Sequence, residues 1–260
     1  MNYYNSFEKH FAKLEKGRKK IDNTIYTFDI ETTSYLILDG KQIPACEYLN
    51  LSPDEQESCE FRSCMYIWQF SIDDKVYYGR TWQELRVFLD KLYFYNPHKK
   101  ILFIHNASFE FQYLKDVFEV ANVFSRKTRK VIKFDLPEYN FEVHCSYYMS
   151  NCKLENLPSV FNLSVEKQVG SLNYDLIRHN ETKLTTQELN YCKYDCLVVY
   201  EYIKKELETY KYVDKIPITS TGHVRRELKQ RVYRDFEYKH YVKKAININP
   251  HVYNLLIRCI

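Results

Sequence analysis

Apolar and polar residues alternate along several stretches in the first third of the chain. Residues 24–33 (TIYTFDIETT) read as a strand in which Asp29 and Glu31, two positions apart, lie on the same face. Residues 64–71 and 75–79 continue the β-type pattern on either side of a short turn. These three segments predict three antiparallel strands at the start of a sheet.

Helical periodicity and capping signals follow those strands. In chain order the pattern predicts a capped helix at 81–95, a buried strand at 101–104, a helix at 107–118, a hairpin from segments 122–134 and 140–147, a helix at 153–161 and a long capped helix at 185–210. The long helix carries one apolar stripe, with Tyr191 and Asp195 together beside it. Strands and helices in this order predict an α/β layered domain with a mixed central sheet.

Length and composition limit the prediction to one main domain. The chain has 260 residues, of which 45% are hydrophobic, enough for one sizeable core and a small appendage. We expect a basic helical segment at 1–22, a main domain at 23–210 and a short, basic helical C-terminal extension at 211–260. Residues 35–60 are polar and irregular, with a short helix starting near Leu51, and are predicted to be a surface insertion.

Neither export nor disulfide bonding is indicated by the sequence. The N-terminus is too charged for a secretory signal, and no segment approaches the ~20 consecutive apolar residues of a membrane span. We therefore expect a cytoplasmic protein with no membrane partner. The eight cysteines include no Cys-x-x-Cys pair, so we interpret them as reduced, mostly buried thiols. Cys192 and Cys196 lie at helical spacing, which favours core packing over metal ligation.

Charge is distributed unevenly along the chain. The whole chain carries a net charge of +4, yet residues 211–260 contain 11 Lys or Arg against 4 Asp or Glu. A basic C-terminal part favours a polyanionic partner, and an acidic excess remains for the residues before it. On charge alone, a solvated basic helix face is the simpler interpretation.

Four carboxylates occupy positions that a layered α/β fold can bring together. Asp29 and Glu31 lie on a central strand, Glu110 begins the helix after a parallel strand, and Asp195 lies on the last long helix. Each of them alone is a common feature. Together they would repel one another and lose hydration at high cost unless divalent cations neutralise them. Hard oxygen ligands suit Mg²⁺ or Mn²⁺, and two such ions about 3.5–4 Å apart can clamp a phosphodiester.

Three motifs resemble the exonuclease motifs of family B DNA polymerases. They are Phe28-Asp29-Ile30-Glu31-Thr32-Thr33, His105-Asn106-Ala107-Ser108-Phe109-Glu110 and Tyr191-Cys192-Lys193-Tyr194-Asp195, in that order. They are most similar to the protein-primed branch found in phages and linear plasmids, and the expected location is the host cytoplasm if a phage encodes the chain. The resemblance implies a ribonuclease H-like, DnaQ-like fold. It also implies a proofreading 3'-to-5' exonuclease that uses two Mg²⁺ or Mn²⁺ ions to release nucleoside monophosphates from single-stranded DNA.

The same resemblance assigns roles to individual residues. Asp29 would bridge both metals, Glu31 and Asp195 would hold the metal that activates water, and Glu110 would serve the metal at the leaving oxygen. Tyr191 would orient the attacking water. The positions that would bind the single strand are Thr32, Asn106 and Phe109, with Ser146 a weaker match and Arg178 in the loop before the long helix.

Two departures from the family pattern leave alternatives open. Glu110 stands where the second motif ordinarily has Asp, and Leu176 stands where relatives have a catalytic lysine, for which Arg178 or Lys167 could substitute. One alternative is therefore a catalytically attenuated or inactive module that binds single-stranded DNA or docks onto a polymerase. Another is a stand-alone nuclease acting on DNA or RNA ends.

Residues 215–226 resemble the segment that leads from the exonuclease into the polymerase palm of the same branch. The expected DNA-backbone contacts on the basic helix that follows are Arg225, Arg226, Lys229 and Arg231. No palm motif for nucleotide-metal binding occurs in the sequence, so the chain is not expected to polymerise by itself. The implied partners are primer-template DNA and, as a hypothesis, a separate polymerase chain or a terminal protein.

Overall fold

A computed structural model describes residues 1–6, 21–165, 172, 173 and 175–234, with 232–234 described by their backbone alone. Within these residues, nine strands form one sheet. They are β1 (Asn2–Tyr3), β2 (Tyr26–Leu38), β3 (Lys41–Pro44), β4 (Glu60–Ile72), β5 (Lys75–Gly79), β6 (Lys100–Ile104), β7 (Ala121–Ser125), β8 (Val131–Leu136) and β9 (Phe141–Cys145). Their order across the sheet is β1-β5-β4-β2-β6-β9-β8-β7, and β3 pairs with the far end of β2.

Seven α-helices are present in the same part of the chain. They are α1 (Pro53–Ser58), α2 (Trp82–Tyr95), α3 (Ser108–Leu114), α4 (Ser146–Ser150), α5 (Leu157–Phe161), α6 (Thr186–Tyr210) and α7 (Ser220–Arg234). Ser52, Thr81 and Thr185 each close a reciprocal capping box with the glutamate three residues later, so α1, α2 and α6 begin where the sequence predicts. No helix in the described ranges is both long and apolar enough to cross a bilayer.

The sheet is mixed, as predicted. β2 pairs antiparallel with β4, which pairs antiparallel with β5, so the start of the chain forms a meander. The connection through α2 then returns the chain to the other side of β2, where β6 runs parallel to it. β9 runs parallel to β6. The mixed α/β class is therefore confirmed, with β2 at the centre of the sheet.

Each face of β2 contributes to a different core. Tyr26, Phe28 and Ile30 belong to the apolar cluster that includes the inner face of α2. Ile25, one position out of phase, packs in the cluster that contains the buried side of α6. On that same face, the Thr27 hydroxyl donates a hydrogen bond of 3.2 Å to the Cys196 carbonyl. Because side chains alternate along a strand, the residues two and four positions after Thr27 also point toward α6.

The structure corrects the predicted N-terminal helix. Residues 2 and 3 pair as a strand parallel to β5, and Tyr4–Ser6 forms a short 3₁₀ helix. Ile21, near the end of the predicted segment, forms an isolated parallel bridge with Lys99, and residues 7–20 lie outside the described residues. The pairing has a physical reason, since β5 would otherwise leave its backbone groups unpaired at the edge of the sheet.

The segment 35–60, predicted to be irregular, is in fact largely ordered. β2 continues to Leu38 and forms a hairpin with β3, across a turn in which Asp39 and Gly40 have φ angles of 49° and 72°. A 3₁₀ helix, Ala45–Asn50, and the predicted α1 follow. We call residues 35–50 the arm. Residues 35–38 are an uninterrupted apolar run in which Leu36 is fully buried, and β3 (KQIP) is only half-buried at its end, so neither strand shows the alternation of polar and apolar residues that predicts a strand.

Three further boundaries differ from the prediction. α3 ends at Leu114 rather than near 118. The stretch 122–134 is itself a hairpin of β7 and β8. It turns at Arg129, which has a φ of 58°, and because this residue is not glycine the sequence contains no turn signal there. The predicted helix at 153–161 begins as a 3₁₀ turn and becomes α-helical only at Leu157.

Candidate metal centre and its cleft

The central feature of the site is a group of three carboxylates contributed by two elements. Asp29 and Glu31 lie on the face of β2 that meets α6, and Asp195 lies on the buried side of α6. One carboxylate oxygen from each residue lies within 4.8 Å of the others. Glu31 and Asp195 are buried, and Asp29 is half-buried. The predicted convergence of these three side chains is therefore present in the fold.

A β-bulge lies directly opposite the acidic positions of β2. Glu31 pairs with Ile67 of β4, whereas the next residue, Thr32, pairs with Met65, so Tyr66 is the extra residue on β4. A bulge bends the strand and re-aims its side chains, and bulges are frequent beside active sites. Here the change of register falls between Glu31 and Thr32, where the strand leaves the metal centre and enters the arm.

Glu110 is the fourth carboxylate. It lies in the first turn of α3, immediately after β6, and only 2% of the residue is exposed. Burial raises the pKa of Glu110 well above its usual range, and the nearby charges of Asp29 and Glu31 raise it further. Among the described residues, its Oε2 atom has no hydrogen-bond partner. An unsatisfied oxygen on a buried carboxyl is costly in a site that binds nothing.

These four residues fit a divalent cation. The donors are all carboxylate oxygens, which are the ligands that Mg²⁺ and Mn²⁺ prefer. Asp29, Glu31 and Asp195 are close enough to share an ion, and the Glu110 carboxyl adjoins that of Asp29. A cation would remove the electrostatic cost of keeping these groups together, because it neutralises charges that burial otherwise opposes.

A cleft of about 440 Å³ opens over the four carboxylates. We call it the acidic cleft. Its lining residues are Asp29, Ile30, Glu31, Thr32, Ser34, Ala45, Cys46, Phe109, Glu110, Leu154, Tyr191 and Asp195. All five predicted catalytic positions are among them, as are Thr32 and Phe109 from the predicted strand-binding group. No Lys or Arg in the described ranges lines this cleft.

Phe109 is the aromatic residue at the mouth of the acidic cleft. It is 41% exposed, and its ring packs against the Tyr113 ring one helical turn away, with the centroids 5.4 Å apart. Asn106 is exposed at the turn between β6 and α3, with a φ of 59°, and its carbonyl accepts a hydrogen bond from the Phe109 backbone N–H. Asn106 does not itself line the acidic cleft.

Two residues predicted to bind the strand are instead engaged within the protein. Ser146 is fully buried, and its hydroxyl lies 3.0 Å from His105 Nδ1. Arg178 is 5% exposed and donates through Nη2 to Glu188 Oε1 at 2.7 Å and through Nη1 to the Asn173 carbonyl at 2.6 Å. Because both side chains are buried and bonded to other residues, the structure contradicts the prediction that they contact DNA directly.

The sequence resemblance expects a catalytic lysine at position 176, where this chain has leucine. Leu176 is 54% exposed. Arg178, one candidate for its role, is fixed to Glu188. Lys167, the other candidate, lies outside the described residues.

The predicted basic residues of α7 differ in solvent exposure and in their contacts within the protein. Arg225 and Lys229 are exposed. Arg226 is half-buried, with its guanidinium 4.7 Å from the centre of the Tyr210 ring and bonded to the Lys215 carbonyl, whereas Arg231 pairs with Glu227 on the same helix. None of the four lines the acidic cleft. Residues 235–260 of the predicted basic extension lie outside the described chain.

The arm contributes cleft residues that the sequence analysis missed. Ala45 and Cys46, at the start of its 3₁₀ helix, line the acidic cleft, and Cys46 is exposed. Of the seven cysteines in the described residues, three are buried (Cys145, Cys192 and Cys196), so the prediction of mostly buried thiols is wrong, although Cys192 and Cys196 pack in the core as expected. No local signal could have placed the arm here, because only the hairpin of β2 and β3 brings it back toward Asp29.

Fold and site together define a mixed α/β domain with a candidate divalent-cation centre. Solved structures of phi29 DNA polymerase are similar to this fold. The complex of that polymerase with primer-template DNA matches 81% of this chain and 35% of its own, with a TM-score of 0.55 and 14% identity. The ternary complex with primer-template DNA and incoming nucleotides matches 72% and 31%, with a TM-score of 0.50 and 15% identity.

At this identity the likeness concerns the fold. The chain spans about a third of the length of the polymerase that it resembles. In sequence, no protein-family model and no curated protein matches it.

Proposed function

We propose that this chain is a metal-dependent 3'-to-5' exonuclease acting on single-stranded DNA, and that it corresponds to the ribonuclease H-like proofreading part of a protein-primed family B DNA polymerase. The observation that carries the proposal is the convergence of Asp29, Glu31 and Asp195 within 4.8 Å, beside a buried Glu110. The order of the three motifs and the fold shared with phi29 DNA polymerase support it.

The four carboxylates hold the reaction centre. Two divalent cations, when bound, would supply an activated water and stabilise the negative charge that develops on the phosphate oxygens. Water attacks the terminal phosphorus, the bond to the 3' oxygen of the preceding nucleotide breaks, and that oxygen takes up a proton. The residues at the floor of the acidic cleft keep the ligand geometry fixed, because β2 and α6 are packed elements rather than loops.

Other cleft residues bind and orient the substrate in this proposal. Tyr191 lies one helical turn before Asp195 and lines the cleft, where its hydroxyl would orient the attacking water. The exposed ring of Phe109 offers a stacking surface for the terminal base, which is how single strands are commonly bound without sequence preference. Thr32 and Asn106 would hydrogen-bond the same nucleotide.

The test is degradation of a single-stranded oligonucleotide labelled at its 5' end, with Mg²⁺ or Mn²⁺. The proposal predicts a ladder that shortens from the 3' end, abolished by EDTA and by the double variant Asp29→Ala, Glu31→Ala. The matched control is Asp54→Ala, Glu57→Ala, which removes two exposed carboxylates from α1 and should leave the ladder unchanged. An intact oligonucleotide with the wild-type protein and both metals would contradict the proposal.

A second function is favoured by a different observation. Leu176 replaces the family's lysine, Arg178 is held by Glu188, and no described cation lines the acidic cleft. A module that binds single-stranded DNA without cutting it would explain that absence. Oligonucleotide binding that is equal in the wild-type protein and the Asp29→Ala, Glu31→Ala variant, with no cleavage by either, would favour this function.

Contact with primer-template DNA and a polymerase partner form a separate part of the proposal. The similar phi29 polymerase structure contains primer-template DNA, and this chain spans about a third of that polymerase. We propose that the basic face of α7, which presents Arg225 and Lys229, lies toward primer-template DNA, and that a polymerase chain or a terminal protein is a partner. Co-purification of a chain with polymerase activity would support this, and a fully active lone protein would count against it.

A further inference from the structure

Gln69 is a polar residue that none of the proposed chemistry uses. It lies in β4, and its Cα pairs with that of Asp29 in the adjacent antiparallel strand β2. Residues paired in this way project to the same face of a sheet, with Cβ atoms about 5 Å apart. The Gln69 side chain therefore points to the α6 side, as Asp29 does, and it is fully buried.

Neither polar atom of this side chain has a hydrogen-bond partner among the described residues. Both Nε2 and Oε1 of Gln69 are buried and unsatisfied. The Cys192 thiol lies beside the amide, and burial raises the pKa of that thiol, but a thiol is a weak hydrogen-bonding group. Buried amides in proteins are almost always hydrogen-bonded, so a fully buried glutamine with both atoms unsatisfied needs an explanation.

Packing alone does not explain the glutamine. Methionine or leucine would fill a similar volume between β4 and α6 without leaving two polar atoms unsatisfied. The neighbours of Gln69 on this side include its cross-strand partner Asp29 and the Cys192 thiol, on which the charges of Glu31 and Asp29 both act. An amide N–H is a donor for a carboxylate, and it is uncharged, so it does not compete with a cation for the site.

We propose that Gln69 is a positioning residue for the metal centre. This role rests on the proposed function. Once divalent cations occupy the site, Gln69 Nε2 donates a hydrogen bond to the Asp29 carboxylate. The amide would then fix the orientation of the carboxylate through an oxygen lone pair that the cations do not use. Outer groups of this kind set how tightly a site binds its metal, and their removal typically lowers affinity ~10–100-fold.

The test compares Mn²⁺ binding and stability in three variants. Gln69→Met keeps the volume and removes the amide, and Gln69→Leu is a second version in case the first folds poorly. Gln112→Met makes the same chemical change in α3, at a half-buried glutamine whose amide donates to the Ser108 carbonyl. Binding of Mn²⁺ is followed by electron paramagnetic resonance of the free ion, and stability by thermal unfolding in EDTA.

We expect the Gln69 variants to bind Mn²⁺ at least ~10-fold more weakly than the wild-type protein. In EDTA they should unfold at an equal or higher temperature, because an unsatisfied buried amide has been removed. Gln112→Met should bind Mn²⁺ as the wild-type protein does. A residue with only a packing role would change the unfolding temperature without changing the affinity.

The outcomes separate this inference from the proposed function. If the wild-type protein binds Mn²⁺ and the Gln69 variants bind it equally well, the positioning role is wrong and the metal centre stands. If the wild-type protein binds Mn²⁺ no better than Asp29→Ala, Glu31→Ala, the metal centre itself fails and the role of Gln69 falls with it. Weaker binding in Gln69→Met, Gln69→Leu and Gln112→Met alike would also overturn the inference, since any loss of an amide would then suffice.

Discussion

Glu110 lies fully buried in the first turn of α3, next to Asp29 and Glu31. Its raised pKa means that the folded protein holds a proton that the unfolded chain releases at lower pH. Stability contributed by that proton is fully present below the unfolded pKa and is lost as pH rises through the folded pKa. In the absence of metal, this residue therefore weakens the fold at neutral and alkaline pH.

Glu110→Gln should stabilise the metal-free protein. The neutral amide removes a buried acid and can donate toward Asp29. We expect a higher unfolding temperature than wild type at pH 8 in EDTA, corresponding to on the order of 1 kcal/mol more free energy of unfolding, with the difference shrinking toward pH 5. Added Mg²⁺ should stabilise the wild-type protein more than the variant. Thermal unfolding of both proteins across this pH range, with and without Mg²⁺, checks these expectations. A variant less stable than wild type at pH 8 in EDTA would count against a raised pKa for Glu110.

Lys100 is a buried cation that lies outside the acidic cleft. Its ammonium donates to the carbonyls of Asn96 and His98, and burial lowers the pKa of Lys100 to about 8. Between that value and the unfolded value of about 10.4, the unfolded chain binds the proton more tightly. The free energy of unfolding should therefore rise with pH across this window.

The variant Lys100→Met isolates that contribution. Relative to the variant, the wild-type protein should gain roughly 3 kcal/mol in free energy of unfolding as pH rises from about 8 to 10.5. Urea unfolding of both proteins at several pH values measures the difference, and titration of other groups cancels in the comparison. A difference that is constant with pH would show that Lys100 does not carry a lowered pKa.

At the scale of elements, the arm forms one wall of the acidic cleft and also contacts the loop before α6. His179 Nε2 lies 2.7 Å from Gln42 Oε1, and the His179 ring meets the ring of Tyr35 edge to face. Arg80 holds the other side of this loop through the carbonyls of His179 and Thr182. The arm thus joins the loop and the cleft in one packed unit.

Cys46 provides a test of the arm as a cleft wall. Attaching a bulky maleimide to its exposed thiol should obstruct the acidic cleft and slow exonuclease cleavage roughly tenfold or more. Cys46→Ala should be cleavage-competent and resistant to the reagent. The matched control, Cys59→Ala, removes a half-buried thiol near the end of α1 and should stay sensitive. Equal inhibition of Cys46→Ala and the wild-type protein would show that the arm does not border the substrate.

The sequence predicts an element best where that element is half-buried or capped. β2 and α6 were predicted because alternation and a capping box are local signals, and the meeting of Asp29 with Asp195 follows from the layer order. The arm was missed because residues 35–38 are an apolar run and β3 has no regular alternation of polar and apolar residues. The partners of Ser146 and Arg178 lie on other elements, His105 and Glu188, so their engagement appears only once the chain is folded.

At the scale of the whole molecule, the fold is similar to part of a known polymerase although sequence similarity to it is low. The described chain shares its fold with part of phi29 DNA polymerase at 14% identity. Side chains that pack a sheet can be exchanged widely if volume and pattern are kept, whereas a cluster of buried carboxylates is tolerated only where something neutralises it. The convergence of four acidic groups is thus the strongest physical reason to expect a metal centre.

The most direct measurement is anomalous diffraction from crystals of the wild-type protein soaked in Mn²⁺. We expect two Mn²⁺ ions in the acidic cleft, about 3.5–4 Å apart, in contact with Asp29, Glu31 and Asp195, and with Glu110 reaching one of them directly or through water. The same soak of Asp29→Ala, Glu31→Ala crystals should leave the cleft without an anomalous peak. A wild-type cleft without Mn²⁺, in crystals that show the ion bound elsewhere, would contradict the metal centre and the exonuclease that depends on it.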